Sequence, residues 1–262
     1  MNIIVCIKQV PDTAEVKINS ETNTLVREGV PSIINPFDEN ALEEGLRLRE
    51  KHGGRVTVVT MGPPQAGETL RTSVAMGADD VVLVSDRAFA GSDTWATSYT
   101  LAQTIKKFGD FDLILCGKQA IDGDTAQVGP GIAEWLGLPQ VTFAVKIEVV
   151  PEERKIKIER LLEEVNEKVE CPLPAVVTVV KQINEPRLPS LKGMLRAKKA
   201  EIKTLSAKDI EADARNIGLS GSPTSVVKIF TPAPKGGGEI LSGEPGEIVD
   251  KLLGKIKERK II

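Results

Sequence analysis

Short apolar runs alternate with segments of helical periodicity through the first half of the chain. Residues 3–7 form a near-continuous apolar run, as expected of a strand buried on both faces, and further strands are predicted at 56–60, 81–84 and 113–116. Helices are predicted between them, at 36–52, 65–76 and 93–108, with a fourth that ends near Gly137. Four such strand–helix units predict an α/β fold with a doubly wound parallel sheet and right-handed crossovers. Ligands of such sheets bind beyond the carboxyl ends of the strands, where the strand order reverses.

Local signals mark several element boundaries. Asn35 is predicted to cap the first helix, with Pro36 at the first helical position and an acidic residue in the first turn. Ser92 is predicted to cap the helix that begins at residue 93. Residues 16–18 and 24–26 are predicted to pair as a small hairpin.

The pattern changes after residue 139. Apolar segments at 141–149, 155–160, 166–170 and 175–180 follow one another, and the Lys/Ile alternation at 155–159 is typical of a half-exposed antiparallel strand. Beyond residue 181 come a basic stretch, a Gly/Pro-rich passage and an amphipathic helix with Ile248, Leu252 and Ile256 at spacing four. We therefore predict an α/β domain at 1–183 with an antiparallel extension, and an extended arm at 184–262.

The composition argues against several kinds of binding site and structural framework. A chain of 262 residues with 41% hydrophobic and 27% charged residues can bury a substantial core, and a net charge of -3 gives no reason to expect nucleic-acid binding. No apolar run approaches about 18 residues, so no membrane-spanning segment is predicted. The single histidine, His52, and three widely spaced cysteines argue against a metal site and a disulfide framework. They favour a reducing compartment, and we predict the cytoplasm. No catalytic side chain stands out.

The loop that follows the fourth strand, at 117–130, is the densest in small and polar residues. Backbone N–H groups at such a helix start form an anion site without any basic side chain. Thr125 and Gln127 can donate hydrogen bonds, whereas Asp122 and Asp124 suit the capping of N–H groups or the binding of ribose hydroxyls. An ordinary helix N-cap loop would show the same pattern, so both interpretations stay open.

Two other strand ends point to the same edge of the sheet. Residues 7–12, which include Lys8, follow the first strand, and Met61 and Gly62 follow the second. Met61 and Gly62 could let a flat adenine lie against the backbone, and a turn before a helix explains them equally well. Standard dinucleotide and P-loop fingerprints do not occur in the sequence.

The segment 184–199 holds two prolines, Leu188 and Leu191 in polar company, and a cluster of cations. An exposed leucine on a stiff, basic-flanked loop is a plausible anchor for a partner pocket. A solvated basic helix face would look the same, so this choice also stays open.

Taken together, these stretches resemble the β subunit of an electron-transfer flavoprotein over essentially the whole chain. The resemblance rests on the residues at 5–12, 35–38, 71–79, 117–122, 174–178, 184–187 and 197–199, in that order. It implies an adenine-nucleotide α-hydrolase-like domain, an α/β heterodimer, and a C-terminal arm that embraces the α subunit. Leu191 matches the recognition-loop leucine that inserts into an acyl-CoA dehydrogenase. Arg196 stands where mitochondrial relatives carry lysine.

The resemblance, with the strand-end pattern, predicts one cofactor-binding set. Its members are Cys6, Lys8, Asn35, Pro36, Phe37, Asp38, Met61, Gly62, Gly117, Gln119, Asp122, Gly123, Asp124, Thr125, Ala126, Gln127 and Val128. In mitochondrial-type members this pocket holds AMP.

The stretch 122–130 resembles bifurcating members instead, because Gly123 and Ala126 leave room for a diphosphate. This likeness implies FAD in the pocket, NADH as the electron donor, and ferredoxin or flavodoxin as a second acceptor. Three alternatives stay open: a simple electron carrier with AMP, a non-redox nucleotide-binding module, and a nucleotidyl-transfer enzyme, which the missing phosphate loop disfavours.

Overall fold

The computed structural model describes residues 1–12, 18–19, 24–25, 31–228, 236 and 238–261. Its strands are β1 (Asn2–Ile7), β2 (Gln9–Pro11), β3 (Ile18–Asn19), β4 (Thr24–Leu25), β5 (Ser32–Ile34), β6 (Arg55–Met61), β7 (Asp80–Val84), β8 (Leu113–Gly117), β9 (Gln140–Val150), β10 (Lys155–Leu161), β11 (Asn166–Pro172), β12 (Ala175–Val179) and β13 (Lys203–Leu205). Its α-helices are α1 (Pro36–His52), α2 (Gly67–Met76), α3 (Thr94–Lys106), α4 (Val128–Leu136), α5 (Leu191–Lys199) and α6 (Pro245–Glu258). The chain forms two units, Met1–Val227 and Lys228–Ile262, and α6 belongs to the second.

The first unit is built on one nine-stranded sheet with the order β11-β10-β9-β12-β8-β1-β6-β7-β13. Every neighbouring pair from β9 to β13 in that order is parallel. The pairs β9–β10 and β10–β11 are antiparallel. The predicted α/β class, with a doubly wound, mostly parallel sheet and an antiparallel extension, is confirmed.

The central strands are apolar on both sides because both faces of the sheet are covered. Along β1, Ile3 and Val5 join one core cluster, whereas Ile4 and Cys6 join the cluster on the opposite face. Successive side chains of a strand point to opposite faces, so a strand between two helical layers must be apolar throughout. Helices α1 and α2 supply buried leucines to the first cluster, and α3 and α4 supply buried isoleucines to the second.

The edges of the sheet differ in character. On β10, Ile156 and Ile158 are buried and Lys157 between them is exposed, which confirms the half-exposed strand predicted there. At the opposite edge β13 pairs with β7. The sequence pattern predicts β7 but does not predict β13. Residues 184–227 lie in the first unit, and the division of the chain at residue 183 stays a prediction.

One predicted boundary signal is wrong. Asp93, not Ser92, caps α3, because its carboxylate accepts hydrogen bonds from the backbone N–H groups of Trp95 and Ala96 at 3.0 and 3.1 Å. The Ser92 hydroxyl instead donates to the carbonyl of Phe89 at 2.8 Å.

The predicted hairpin is seen only in part. Its paired positions are Ile18 with Leu25 and Asn19 with Thr24, and its remaining positions, 16–17 and 26, lie outside the described residues. Among the described residues no helix is both long and apolar enough to cross a bilayer.

Gly129 provides a test of how closely α4 packs on the sheet. A Cβ added there would lie 2.5 Å from Cγ2 of Thr178, a buried residue of β12. We expect Gly129→Ala to lower the free energy of unfolding by about 1–3 kcal/mol, because overpacking outweighs the gain in helix propensity. The control is Gly67→Ala in α2, where the added Cβ would make an ordinary contact of 3.4 Å with Ile202. Urea unfolding that shows equal stability for both variants would contradict this packing.

Candidate functional site

The strand order of the sheet reverses next to β1, and open α/β sheets have a crevice at such a point. The chain runs from β1 to β6 and β7 on one side, and to β8 and β12 on the other. The parallel strands β8, β1 and β6 are neighbours, so Gly117, Cys6 and Met61 lie at the same edge of the sheet. Such a switch point is where open α/β sheets bind ligands.

The first turn of α1 holds the ends of β1 and β8 together. The Asp38 carboxylate accepts hydrogen bonds from the backbone N–H groups of Lys8 at 2.8 Å and Gly117 at 3.0 Å. A side chain on Gly117 would overlap Asp38 and Phe37, so glycine is required for this close approach. Asp38 is buried, and its predicted role as a direct cofactor ligand stays a prediction.

Asn35 organises the loop after β8. Its side chain is fully buried; Nδ2 donates to the carbonyl of Gln119 at 2.8 Å, and Oδ1 accepts from the N–H of Ile121 at 3.1 Å. Asn35 does occupy the N-cap position of α1, but its side chain makes no capping hydrogen bond. The predicted N-cap position, with Pro36 in the first helical turn, is therefore confirmed, and the side chain bonds to the loop after β8 where a capping bond would be usual.

The loop itself is shaped by polar contacts and unusual backbone angles. Lys8 Nζ pairs with Asp122 Oδ1 at 2.6 Å, and the Gln119 amide donates to Asp124. Asp124 and Ala126 have φ angles of 54° and 55°, in the left-handed region that non-glycine residues rarely adopt. The two contacts tie the loop to the end of β1 and to itself.

This conformation leaves backbone donors free next to the start of α4. In the stretches that the structure describes, the backbone N–H groups of Thr125, Ala126 and Gln127 donate no hydrogen bond. At the start of α4 the N–H groups of Val128 and Gly129 have no partner within the helix, Pro130 has no N–H, and the N–H of Gly131 donates to the carbonyl of Gln127 at 2.9 Å. Concave groups of such donors bind anions, and a helix N-terminus favours negative charge. The geometry therefore fits a phosphate-bearing ligand.

A tight turn follows the end of β6. The N–H of Gly62 donates to the carbonyl of Val84 at 3.0 Å, and a Cβ on Gly62 would lie 3.1 Å from Cβ of Ala66. A tight turn thus accounts for this glycine, and contact of Met61 and Gly62 with adenine stays a prediction.

Two lysines at this edge were not among the predicted site residues. Lys118 Nζ lies 5.3 Å from the centroid of the Phe143 ring, and Lys181 Nζ lies 5.3 Å from that of Phe37. Each lysine follows a buried strand within two residues, which is a signal that the sequence does offer. Phe143 lies inside β9 with a φ of 64°, and nothing in the sequence marks it.

Two titratable groups at this end of the sheet, Asp38 and Cys116, have raised pKa values. Burial raises the pKa of Asp38 to about 7, although hydrogen bonds from Asn35 and from the N–H groups of Lys8 and Gly117 oppose the change. A hydrogen bond with Cys6, together with burial, raises the pKa of the Cys116 thiol, which is therefore protonated at neutral pH. All three cysteines are free and buried, and the described residues contain no group of three or more acidic, His or Cys side chains suited to a metal ion.

Leu191, the predicted partner-binding residue, lies on a different element. It is the first residue of α5, its exposed fraction is 73%, and Leu188 just before the helix is 89% exposed. Arg196, on the same helix, points towards α2, because its guanidinium donates to the carbonyls of Val74 and Ala78 at the end of that helix. The choice between an anchor and a solvated helix face stays open on exposure alone.

A parallel sheet with free backbone donors at its switch point is the architecture of a nucleotide-binding α/β domain. Residues 22–210 match the model of the electron transfer flavoprotein domain family. The electron transfer flavoprotein subunit beta of Thermoanaerobacterium thermosaccharolyticum is 53% identical over 263 residues, and that of Megasphaera elsdenii is 51% identical over 272 residues. The caffeyl-CoA reductase-Etf complex subunit CarD of Acetobacterium woodii is 50% identical over 264 residues. Each alignment covers 100% of this chain and 100% of the relative.

The chain belongs to the electron-transfer flavoprotein family, as a β subunit. Its role is therefore in electron transfer with a flavin-related cofactor, and β subunits of this family usually pair with an α subunit. That the residues described above hold this cofactor stays a prediction.

Asp38→Asn should change how stability depends on pH. Because burial raises the pKa of Asp38 from 3.8 to about 7, the folded chain binds a proton between those pH values that the unfolded chain does not. The stability from this group is complete below pH 4 and is lost as the pH rises to 7, by up to about 1.4 kcal/mol per pH unit. Asparagine does not titrate, so in urea unfolding the wild type should lose more stability than the variant over this range, because burial also raises the pKa of Glu39 and Glu44 in both proteins. A free energy of unfolding that changes with pH in the same way in both proteins would rule out Asp38 as the titrating group.

Proposed function

We propose that this β subunit binds FAD in the crevice between β1 and β8 and, with its α subunit, oxidises NADH and bifurcates the two electrons. One electron would go to FAD of the α subunit and on to an acyl-CoA dehydrogenase, and the other to ferredoxin or flavodoxin. The simple carrier with AMP in the same pocket is the competing proposal. Family membership favours either of these over a non-redox nucleotide-binding module.

The observation that carries this proposal is the open, donor-rich loop before α4. A Cβ added to Gly123 would have no atom within 4 Å, and Ala126 projects only a methyl group from a left-handed backbone. The free N–H groups of residues 125–127 and the start of α4 offer more donors than one monophosphate needs. Space and donors together support a diphosphate, and hence FAD, at this position.

Neighbouring side chains reduce the electrostatic cost of placing a phosphate near two acids. Lys8 pairs with Asp122, and the Gln119 amide satisfies Asp124, so neither carboxylate repels an anion at full strength. Asn35 and Asp38 hold the loop and the strand ends in place. When bound, FAD supplies the hydride-accepting and electron-releasing chemistry, and these residues supply binding and orientation.

The partners and compartment follow from the family and the surface. The name of the Acetobacterium woodii relative joins it to a caffeyl-CoA reductase, which supports a partner enzyme that acts on CoA esters. Leu191 is the residue that we propose inserts into such a dehydrogenase. Free thiols at all three cysteines favour a reducing compartment, so we place the protein in the cytoplasm.

Cofactor analysis of the purified α/β heterodimer tests the proposal directly. We expect two FAD per heterodimer after acid extraction and chromatography. We also expect NADH to reduce added ferredoxin only when an acyl-CoA dehydrogenase and its enoyl-CoA acceptor are present. One FAD and one AMP per heterodimer would refute FAD binding in this crevice and establish the simple carrier. The Leu191→Ala heterodimer serves as the control, since its cofactor content should equal that of the wild type.

A second prediction concerns α6. Of the apolar residues predicted to need a surface, Leu252 is 48% exposed, and Ile248 and Ile256 are partly buried. Val249 and Leu253 beside them are 54% and 40% exposed, and we propose that the α subunit covers this helix. Each aliphatic side chain that becomes well buried contributes about 1.5–3 kcal/mol. Deletion of the residues after Gly238 should therefore weaken the α/β heterodimer by at least about tenfold, measured by titration of labelled subunits. The matched control is Lys257→Ala on α6, a charged and exposed position that should leave affinity unchanged. Full affinity in the deletion variant would exclude this role.

A further inference from the structure

The segment that leads to α5 is bound tightly to α1. Asn40 Nδ2 donates to the carbonyl of Asn184 at 2.8 Å, and Asn184 Nδ2 donates to the carbonyl of Asn40 and to Glu44, both at 3.1 Å. Arg47 donates to the carbonyl of Glu185 at 3.0 Å. Side chains from successive turns of α1 thus hold the backbone of residues 184 and 185.

Arg187 makes the most extensive of these contacts. Its Nε and Nη2 donate to the Glu43 carboxylate at 2.8 and 3.2 Å, and its backbone N–H donates to the same group at 3.2 Å. Its Nη1 and Nη2 donate to the Glu50 carboxylate at 2.5 and 3.0 Å. One guanidinium therefore bridges two carboxylates on one face of α1, in the paired geometry that arginine favours.

The environment of Glu43 makes this contact costly to lose. The Glu43 side chain is only 3% exposed, against 32% for Arg187. Burial raises the pKa of Glu43, but hydrogen bonds from Arg187 and Arg47 outweigh burial and lower it, so the carboxylate stays ionised at neutral pH. A buried carboxylate that loses its arginine partner leaves an uncompensated charge.

The chain leaves α1 immediately after Arg187. Leu188 and Leu191 are strongly exposed, while Pro186 and Pro189 restrict the backbone around them. Behind them α5 is fixed by its other face, since Gly193 packs on the carbonyl of Ala75. The exposed leucines therefore stand on a short segment that is anchored at both ends.

Resting on the proposed docking of Leu191 in a dehydrogenase, we propose that Arg187 is a positioning residue for that docking. Held by Glu43 and Glu50, it fixes residues 188–191 in the conformation that enters an apolar pocket of the partner enzyme. Binding then requires little further ordering of the segment, and a segment ordered in advance binds more tightly than one that must be ordered on contact. Arg187 acts through Leu188 and Leu191 and does not itself touch the partner.

The test uses α/β heterodimers with Arg187→Ala, Arg187→Lys, Leu191→Ala and the double variant Arg187→Ala/Leu191→Ala. Arg55→Ala is the matched control, because Arg55 pairs with Asp80 in an exposed ion pair at the other end of the strands. A purified acyl-CoA dehydrogenase is the probe, and KM and kcat for its reduction by the heterodimer are measured. Hydrogen exchange of the backbone amides of Leu188, Ser190 and Leu191 is measured on each heterodimer alone, since Pro189 has no amide hydrogen.

We expect Arg187→Ala to raise KM for the dehydrogenase about tenfold with little change in kcat, and to speed the exchange of these amides. Arg187→Lys keeps the charge but not the fork, so its effect should be smaller, and it replaces the alanine variant if that one does not assemble. Leu191→Ala should raise KM by about thirtyfold without changing exchange on its neighbours. The double variant should resemble Leu191→Ala and fall well short of the product of the two single effects, about 300-fold, because Arg187 acts through the anchor.

Three results would overturn the inference. The first is unchanged amide exchange and unchanged KM in both Arg187 variants. The second is a double variant whose increase in KM equals the product of the two single increases. The third is an unchanged KM in Leu191→Ala. FAD content is measured on the same samples and separates this inference from the proposed function. A heterodimer with FAD and AMP whose Arg187 variants still dock weakly would refute bifurcation and support the positioning role.

Discussion

The crevice at the switch point depends on one buried carboxylate. Parallel strands β1 and β8 end side by side, and the backbone N–H groups of Lys8 and Gly117 at these ends both point to Asp38. Buried backbone donors must be paired, so an acceptor at this place keeps the two strand ends from separating. Because the carboxylate is buried, its pKa lies near neutrality, and the stability of this edge of the sheet is linked to pH.

Helix α1 carries both proposed functional regions. Its first turn, with Asn35 just before it, holds the loop and strand ends of the nucleotide crevice. The same helix, over its 17 residues, presents Glu43 and Glu50 to Arg187 and so holds the segment before α5. A packed helix is a stiff element, and two regions attached to one such helix keep a constant spacing. Electron transfer benefits from this, because its partners must meet in a reproducible geometry.

The chemistry of the crevice suits a protein that binds a redox cofactor and leaves the reaction to it. The Asp38 carboxylate is occupied by backbone donors, and the Cys116 thiol is buried with a raised pKa. The unpaired backbone N–H groups at residues 125–127 are the donors that we propose bind the phosphates of the cofactor.

The sequence by itself determined the alternation of strands and helices, the antiparallel extension and the strand-end loops, because apolar periodicity follows directly from which faces are buried. Turn chemistry and the resemblance marked residues 117–128 and 191 as candidates, and the family is confirmed. The hydrogen bond of the Asn35 side chain to the loop after β8 could not be predicted, because an asparagine before a helix usually caps it through its side chain. The loop comes within reach of Asn35 only when the chain is folded. The pairing of Arg187 with Glu43 joins residues 144 positions apart, and β13 joins β7 across a similar interval. Only the tertiary structure decided these contacts, because hydrogen bonds between distant residues depend on how the elements pack and leave no periodic trace in the chain.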